Sequence, residues 1–479
     1  MKTKITSFLV LAAACSLSLS AQSKDDFTSK KLFEVSDVTF PSDGWPALFS
    51  DNSMRGVAVY GNDLYIPVRN STMGGNFVCR LDATTGEFVS KLSLKGSDGK
   101  EVVTGGLFVI NDIAVSSDGA VFVSNMTTDA RSQQWDKTNE KWVDMAGTVP
   151  FKVYKYTNAN ANPELFLSFD PVKQEATMGT AKTNAFRMGD SFTFSGTSQS
   201  GKFLTGIDNL RERCYEWTIT DGVVDPNPLV VAFQNSLPEE GSDIYGALDP
   251  KFGGYGRFYA GFDEGTYIER SRDEGNFLRV FKHDATSKGW SYNVLEQGIQ
   301  LNDMRFGSGN SAYPFEFNGH RYLAMVDFGV AQKGMSDAQG VIIDVTSWTN
   351  PIEVFRTATM GDDYNNGTTG VAVWKNATGF NVYFLSPNGL YGYALTSTKL
   401  VGVVNNTIDK QELFVTTDPA SRKVIFSEFV DKVRVYQVQS GIEVRNAANI
   451  KELQLSDKGA YILNVVQKDG RVVNKRVIL

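Results

Sequence analysis

A strand–turn–strand pattern recurs along the chain. Residues 55–69, RGVAVYGNDLYIPVR, hold two short apolar runs with a polar turn at 61–63, and the pattern returns at 370–373 followed by 380–385. Four further copies lie between these two: 112–115 with 120–124, 190–194 with 202–205, 243–248 with 257–262, and 312–317 with 320–326. Paired runs of this kind predict antiparallel hairpins, and their repetition predicts an array of similar units.

Each hairpin is followed by a third run that reads apolar, variable, polar, bulky, then a polar turn. These runs occupy 78–82, 153–157, 214–218, 280–284, 342–346 and 390–394, and a fourth run often follows, as at 88–92, 164–169 and 352–355. One four-stranded sheet cannot bury both faces, whereas radial stacking buries each face against a neighbour. The pattern therefore predicts an all-β chain with a six-bladed β-propeller. Residues 31–40 are candidates for the outer strand that closes the ring. A multi-sheet sandwich, or five or seven blades, are the alternatives.

After residue 398 the pattern changes to a compact run of short strands. They are predicted at 412–416, 423–427, 432–438, 441–445, 460–467 and 471–479. The chain is therefore divided into a propeller over 30–398 and a small C-terminal β-sandwich over 401–479.

Several motifs in this tail occur in a fixed order. They are VRVY at 433–436 before Gly441, GAYI at 459–462, Asp469 with Gly470, and KRVIL at 475–479. In this order they resemble the C-terminal sorting domain of the type IX secretion system of Bacteroidetes. The tail departs from that pattern at 418–421 (DPAS, where an Asn-Pro motif is common) and at 437–439 (QVQ, in place of an acidic turn). A plain Ig-like module is the alternative. As a whole, the chain resembles secreted six-bladed propeller proteins of Bacteroidetes of uncharacterised function, which implies a compartment and a fold but no reaction.

The N-terminus has the layout of a secretory signal peptide. Lys2 and Lys4 precede an apolar stretch at 5–14, and small residues continue to Ala21. We expect a signal peptide over 1–21, cleaved near Ala21, and a secreted or cell-surface protein. Lipidation at Cys15 is the alternative. No later apolar stretch is long enough to predict a transmembrane segment.

Charge and rare residues exclude several classes of function. The net charge is −7 and basic runs are missing from the sequence, which argues against nucleic acid or anionic lipid as partners. Cys79 and Cys214 lie in apolar runs and predict two separate buried thiols, with one disulfide as the alternative. With His283 and His320 as the only histidines, a His-rich metal site is excluded, and both are expected to be ordinary strand or turn residues.

Binding residues of a propeller are expected where the innermost strands begin and where the loops after the second strands rise around the channel mouth. At the strand starts the candidates are Arg55, Asn111, Asp112, Arg187, Asp243, Asn302, Asp303 and Asn366. From the loops come Arg69, Asn125, Asp208, Arg211, Asp263, Glu264, Arg272 and Asp327. This mixture of carboxylates, amides and guanidiniums suits polyhydroxylated or zwitterionic ligands. A solvated loop face has the same composition.

A tryptophan pair marks the loop at 130–147. Trp135 and Trp142 flank residues 136–141, and if this segment folds back as a hairpin, the two indoles become cross-strand neighbours. Such a pair can stack on sugar rings or hold the hairpin against the next blade.

These observations favour a non-catalytic propeller that binds a glycan or protein ligand. The alternative is a hydrolase or lyase. A lactonase-like calcium site would draw on Asn111, Asp112, Asp243, Asn302 and Asp303, and a glycosidase would need two carboxylates about 5 to 10 Å apart among Asp112, Asp243, Asp263 and Asp303. Apart from calcium in that alternative, no cofactor is predicted.

Overall fold

The computed structural model describes residues 24–35, 54–70, 75–127, 133–136, 138, 141–144, 149–170, 187–206, 213–232, 257–270, 278–283, 290–294, 311–327, 338–348, 350–360, 369–376, 378–386, 389–398, 415–418, 421–438, 442–468 and 472–479. Within these ranges the secondary structure is one short 3-10 helix, Lys24–Asp26, and β-strands. The predicted all-β class is therefore confirmed. The chain divides into two compact units, Met1–Leu400 and Val401–Leu479.

The strands are named in chain order. They are β1 (Phe27–Val35), β2 (Ala58–Tyr60), β3 (Asp63–Asn70), β4 (Gly75–Asp82), β5 (Phe88–Leu92), β6 (Phe108–Val115), β7 (Val121–Met126), β8 (Gln133–Asp136), β9 (Lys141–Asp144), β10 (Phe151–Tyr156), β11 (Glu164–Phe169), β12 (Thr193–Gly196), β13 (Gly201–Gly206), β14 (Arg213–Thr220), β15 (Val223–Val224), β16 (Leu229–Ala232), β17 (Arg257–Ala260), β18 (Thr266–Arg270), β19 (Leu278–His283), β20 (Trp290–Val294), β21 (Tyr313–Phe317), β22 (His320–Asp327), β23 (Gln339–Asp344), β24 (Ile352–Arg356), β25 (Gly370–Lys375), β26 (Gly379–Ser386), β27 (Gly389–Ser397), β28 (Val415–Asp418), β29 (Lys423–Gln437), β30 (Glu443–Gln454), β31 (Ala460–Gln467) and β32 (Val472–Ile478).

Six antiparallel sheets of four or five strands are seen in the described part of the first unit, besides the β8–β9 hairpin. Sheet 1 contains β2 to β5, sheet 2 contains β6, β7, β10 and β11, and sheet 3 contains β12 to β15 with β16 also paired to β14. Sheet 4 contains β17 to β20, sheet 5 contains β21 to β24, and sheet 6 contains β25 to β27 with β1. All six predicted third runs lie in the third strands of these sheets.

Sheet 4 corrects one predicted hairpin. The run at 257–262 was assigned to a second strand, but among the described residues β17 is the first strand of its sheet and β18 is the second. The expected first strand at 243–248 lies outside the described residues. The sequence pattern missed β18 because two of its residues, Glu269 and Arg270, are charged yet 1% and 0% exposed.

Neighbouring sheets contact each other in a closed cycle. Each first strand contacts the next one in the order β2, β6, β12, β17, β21, β25, and β25 contacts β2. Apolar side chains fill the spaces between the sheets: Phe315 and Tyr322 of sheet 5, for example, lie with ring centroids 4.8 and 6.0 Å from Phe380 of sheet 6. Each sheet therefore buries a face that it could not bury alone.

The N-terminal strand completes sheet 6. β1 pairs antiparallel with β27 from Phe27 opposite Ser397 to Val35 opposite Leu390. Phe27 lies 5.5 Å from Phe380, ring to ring. The outer strand of this sheet thus comes from the N-terminal end, starting four residues before the predicted segment 31–40, of which 36–40 lie outside the described residues.

The second unit contains one five-stranded antiparallel sheet among its described residues, in the order β28-β29-β31-β32 with β30 also paired to β29. β29 is a single long strand where two were predicted, with a register irregularity between Ile425 and Val430. Val433, Val435 and Leu463 belong to its buried core. The two-layer sandwich stays a prediction.

The cysteines and the described histidine side chain behave as expected. Cys79 and Cys214 are buried and free, and burial raises the pKa of both thiols. His320 is buried and its Nδ1 lies 2.9 Å from Asp344 Oδ2, while His283 ends β19.

The helix found within the described ranges is too short to span a membrane.

Candidate functional site

The first strands of all six sheets line a central channel. Near the starts of these strands lies a set of charged side chains, called here the charged cluster: Arg55, Asp112, Arg187, Asp190 and Arg257. Next comes a narrow throat, whose walls include the apolar residues Val57, Ile113 and Phe192 as well as Arg257 and Tyr259. At the other end of the strands the channel opens into a wide cavity of about 550 Å³.

Asp112 is the most buried member of the charged cluster. Its Oδ2 forms an ion pair with Arg257 Nη2 at 2.9 Å, and the two side chains are 0% and 5% exposed. The backbone N–H groups of Phe192 and Ile113 donate to Oδ2 and Oδ1 at 2.7 and 2.9 Å. Sheet 1 also comes very close to this carboxylate. A Cβ on Gly56, just before β2, would lie 1.8 Å from Asp112 Oδ1. One carboxylate therefore ties together residues that precede or belong to first strands of four sheets.

Asp190 organises the arginines beside it. Arg187 binds it through two nitrogens, with Nη2 donating to Oδ1 at 2.6 Å and Nε to Oδ2. Arg55 Nη1 lies 3.9 Å from Asp190 Oδ1 and its side chain is 12% exposed. Arg257 Nη2 also donates to the Arg55 carbonyl at 3.2 Å. This bidentate contact is a favourable geometry for an arginine–carboxylate pair, and it fixes the position of the Arg187 guanidinium.

Burial sets the protonation of Asp112. Desolvation raises its pKa to about 6, while Arg257 and the two backbone N–H groups oppose the rise. The carboxylate is thus largely ionised at pH 7.5. Both of its oxygens accept hydrogen bonds, so it is held as a fixed acceptor.

Polar contacts continue between sheets 4, 5 and 6. Arg270, which is fully buried, donates from Nη1 to the carbonyls of Ser311 at 2.7 Å and Val326 at 2.8 Å. Burial lowers the pKa of Arg270 to about 10. Ser311 Oγ lies 2.8 Å from Thr369 Oγ1, just before β25. Buried polar groups therefore join the starts of the first strands on this side of the channel as well.

The sequence-predicted residues fall into three groups. Arg55 precedes β2, Asn111 and Asp112 lie within β6, and Arg187 precedes β12; the Asn111 amide donates to the Gly189 carbonyl at 2.5 Å. Arg69 lies near the end of β3 and Trp135 within β8. Asp243, Asn302 and Asp303 lie outside the described residues.

The position of Asp263 differs from the one predicted. It was expected in a loop after a second strand, but it lies in the turn between β17 and β18, away from the charged cluster. Its side chain is 61% exposed and binds Arg321 at 2.6 and 3.0 Å. The prediction failed because the run at 257–262 was taken for a second strand, whereas β17 comes before β18 in sheet 4.

Sequence reasoning also missed Arg257 as a site residue. It was placed at the start of a second strand, whereas it opens β17 and faces the throat. A signal was present: Arg257 precedes an apolar run that ends in a glycine turn at 261–265, as Arg55 precedes the run that ends at Gly61.

The tryptophan hairpin forms with the predicted register. Trp135 lies directly opposite Trp142 in the β8–β9 pair, and the hairpin joins no other sheet within the described residues.

Three or more side chains suited to bind a metal do not come together anywhere in the described ranges.

No family model and no curated protein sequence matches the chain. Among solved structures, a DUF4623 family protein from Bacteroides eggerthii is similar in fold, with a TM-score of 0.50, 14% identity, and coverage of 79% of this chain and 76% of that chain. A Trypanosoma rangeli sialidase in complex with sialic acid matches with a TM-score of 0.43, 11% identity, and coverage of 93% and 74%. A Penicillium chrysogenum α-L-arabinanase complexed with arabinobiose gives 0.42, 9% identity, and coverage of 78% and 99%. The first similarity concerns the fold alone, and no conclusion is drawn from the other two.

Proposed function

We propose that the chain is a non-catalytic glycan-binding protein of the cell exterior, built as a six-bladed β-propeller with a small C-terminal β-sandwich. The closed cycle of sheet contacts and the outer strand β1 support the propeller. The layout of residues 1–21 and the sorting-domain motifs of the tail support export to the medium or the cell surface.

The observation that carries the binding function is the charged cluster at one end of the channel. Its arginines are held in place by carboxylates, so little side-chain freedom is lost when a ligand binds. Arg257 lines the throat, and its buried Nε has no hydrogen-bond partner among the described residues. A donor of this kind suits the oxygens of a polyhydroxylated ligand, because an unmatched buried polar group is costly.

The same contacts argue against acid–base catalysis. A general acid must present its proton to the substrate, but Asp112 and Asp190 both direct their two oxygens to protein donors. One observation favours a hydrolase as the second candidate: the pKa of Asp112 is raised to about 6, which is the range of a working general acid.

Arg55 offers the most direct test, because its side chain is the most exposed in the charged cluster. The Arg55→Gln variant removes a guanidinium that lies 3.9 Å from Asp190 and leaves the closer Arg187–Asp190 pair in place. The matched control is Arg80→Gln, which removes an arginine of sheet 1 that binds Asp63 at 2.8 and 2.9 Å away from the channel. Both variants and the wild type are applied to a glycan array.

We expect the glycans bound by the wild type to lose about tenfold or more in affinity with Arg55→Gln, since a charge-assisted hydrogen bond contributes about 1.5 to 3 kcal/mol. Arg80→Gln should bind as the wild type does. An array without any bound glycan, or equal binding by all three proteins, would refute the proposal. Release of reducing ends from a bound glycan by the wild-type protein would establish the hydrolase instead.

A further inference from the structure

The wide cavity lies at the end of the first strands opposite to the charged cluster. Its walls are formed by the later residues of all six first strands and the turns that follow, among them Tyr60, Ser117, Phe194, Tyr313 and Trp374. Its volume of about 550 Å³ lies within the ~300–1,000 Å³ range of sites for small ligands. The narrow throat, whose lining includes Arg257 of the charged cluster, lies on the side of the first strands away from this cavity.

An aromatic corner is built where sheets 1 and 6 meet. Tyr60 and Trp374 contact edge to face with ring centroids 5.2 Å apart, and both side chains are partly exposed. Tyr60 is fixed from the other side by sheet 2, since a Cβ on Gly119 would lie 2.8 Å from its ring. Gly119 has a φ of +90°, a conformation that glycine adopts readily. The Tyr60 ring of this corner therefore packs between Trp374 of sheet 6 and Gly119 of sheet 2.

The polar groups of the cavity are balanced in charge. Glu316 and Lys375 are the charged residues of its lining, one of each sign. Ser117 and Ser195 add hydroxyl groups. The first strands are also the edges of their sheets within the described residues, and an edge strand presents backbone N–H and C=O groups. This lining offers many donors and acceptors but no net charge.

We propose that the wide cavity is a second site, which binds a short neutral oligosaccharide. The less polar face of a sugar ring stacks on the Tyr60–Trp374 corner, and the hydroxyl groups bond to the rim and to the strand edges. A sugar hydroxyl both donates and accepts, so it matches alternating backbone groups, whereas an acidic or basic ligand finds no excess of opposite charge. This inference goes beyond the charged cluster and does not depend on it.

The test is calorimetric titration of the full mature chain with four neutral trisaccharides, namely cellotriose, xylotriose, mannotriose and maltotriose. The variants are Trp374→Ala, the conservative Trp374→Phe, and Phe88→Ala as the matched control. Phe88 is a partly buried aromatic residue of β5, at the outer edge of sheet 1 and outside the cavity lining. Lys375→Ala is added because Lys375 is exposed and its replacement should leave the fold intact.

We expect at least one trisaccharide to bind, with a loss of about tenfold in Trp374→Ala. Trp374→Phe should retain most of the affinity, Lys375→Ala should lower it by a smaller factor, and Phe88→Ala should leave it unchanged. Should Trp374→Ala fail to fold, Lys375→Ala decides, since it lowers the affinity for a ligand in the cavity and leaves the affinity for a ligand elsewhere unchanged.

Failure of this inference can be told apart from failure of the proposed function by including Arg55→Gln. Binding lost in Arg55→Gln and kept in Trp374→Ala places the sugar at the charged cluster, which overturns the second site and leaves the first. Binding lost in Trp374→Ala and kept in Arg55→Gln places the sugar in the wide cavity, which overturns binding at the charged cluster and leaves the second site. No binding of any of the four trisaccharides, or an equal loss in Phe88→Ala, overturns the second site.

Discussion

Replacing Asp112 by Asn should destabilise the first unit strongly. Asp112 is 0% exposed and is the ionic partner of Arg257, which is 5% exposed. Asn keeps the shape of the side chain but turns an NH2 group toward one of the two backbone N–H groups that donate to the carboxylate, and a buried donor left without its acceptor costs about 1 to 3 kcal/mol.

The size of the effect should depend on pH. The pKa of Asp112 is about 6 in the folded protein against about 3.9 in the unfolded chain. Because the folded state binds the proton more tightly, the contribution of this group to stability is complete below about pH 4 and is lost as the pH rises through about 6. Full ionisation corresponds to about 3 kcal/mol, of which about 1.5 kcal/mol is lost between pH 5.0 and 7.5. Asn does not titrate, so the deficit of the variant should be about 1.5 kcal/mol larger at pH 5.0 than at pH 7.5.

Urea unfolding of the full mature chain, followed by tryptophan fluorescence at the two pH values, measures both quantities. The control is Asp263→Asn, which removes an exposed carboxylate whose pKa is lowered by its hydrogen bonds with Arg321. Asp263 titrates below this pH range, so its variant should differ from the wild type by the same amount at both pH values. The reasoning is refuted if Asp112→Asn stays within about 1 kcal/mol of the wild type or if its deficit is the same at both pH values.

Three further predictions concern packing, closure and maturation. Gly340→Ala should lower the urea midpoint, because a Cβ there would lie 2.5 Å from the Phe384 ring and overpacking costs about 1 to 3 kcal/mol; an unchanged midpoint would contradict the packing of sheet 5 against sheet 6. A chain that lacks Phe27–Val35 should lose cooperative melting of the first unit, since sheet 6 loses its outer strand, and a peptide of that sequence added in trans should restore it; a normal melt without the strand would contradict this closure. Mass spectrometry of the exported protein should find an N-terminus near Gln22, and a diacylated Cys15 at the N-terminus would contradict the predicted cleavage.

The repeating unit could be predicted from sequence because its signal is local. Apolar alternation in each third strand, such as that around Tyr154 in β10, depends on neighbours in the same strand, and all six runs fall in third strands. The first strands are short and their charged residues are buried by contacts with other sheets. Sheet 4 shows the consequence, since Glu269 and Arg270 in β18 have a polar appearance in the sequence and are almost fully buried in the structure.

The charged cluster was predictable in part for the same reason. Arg55, Asp112 and Arg187 precede or occupy predicted first strands, so counting along the repeats finds them. The choice of partners is a property of the ring, because Asp112 of sheet 2 binds Arg257 of sheet 4. No spacing in the sequence encodes a contact between strands that lie in different repeats. The wide cavity was missed because its lining residues, such as Trp374, are unremarkable strand-end residues until six strands converge.

Holding the ring together and binding a ligand need not be separate tasks of the charged cluster. Asp112 receives donors from sheets 3 and 4 as well as its own, so its loss disturbs packing first and binding second. Arg55 is more exposed, at 12%, and its Nη1 lies 3.9 Å from Asp190 Oδ1, whereas Arg187 holds that carboxylate at 2.6 Å, so the loss of Arg55 leaves the close Arg187–Asp190 pair intact. A binding defect without a stability defect is therefore expected from Arg55, and both defects together from Asp112. The contrast between these two variants distinguishes a ligand site supported by structural charges from structural charges alone.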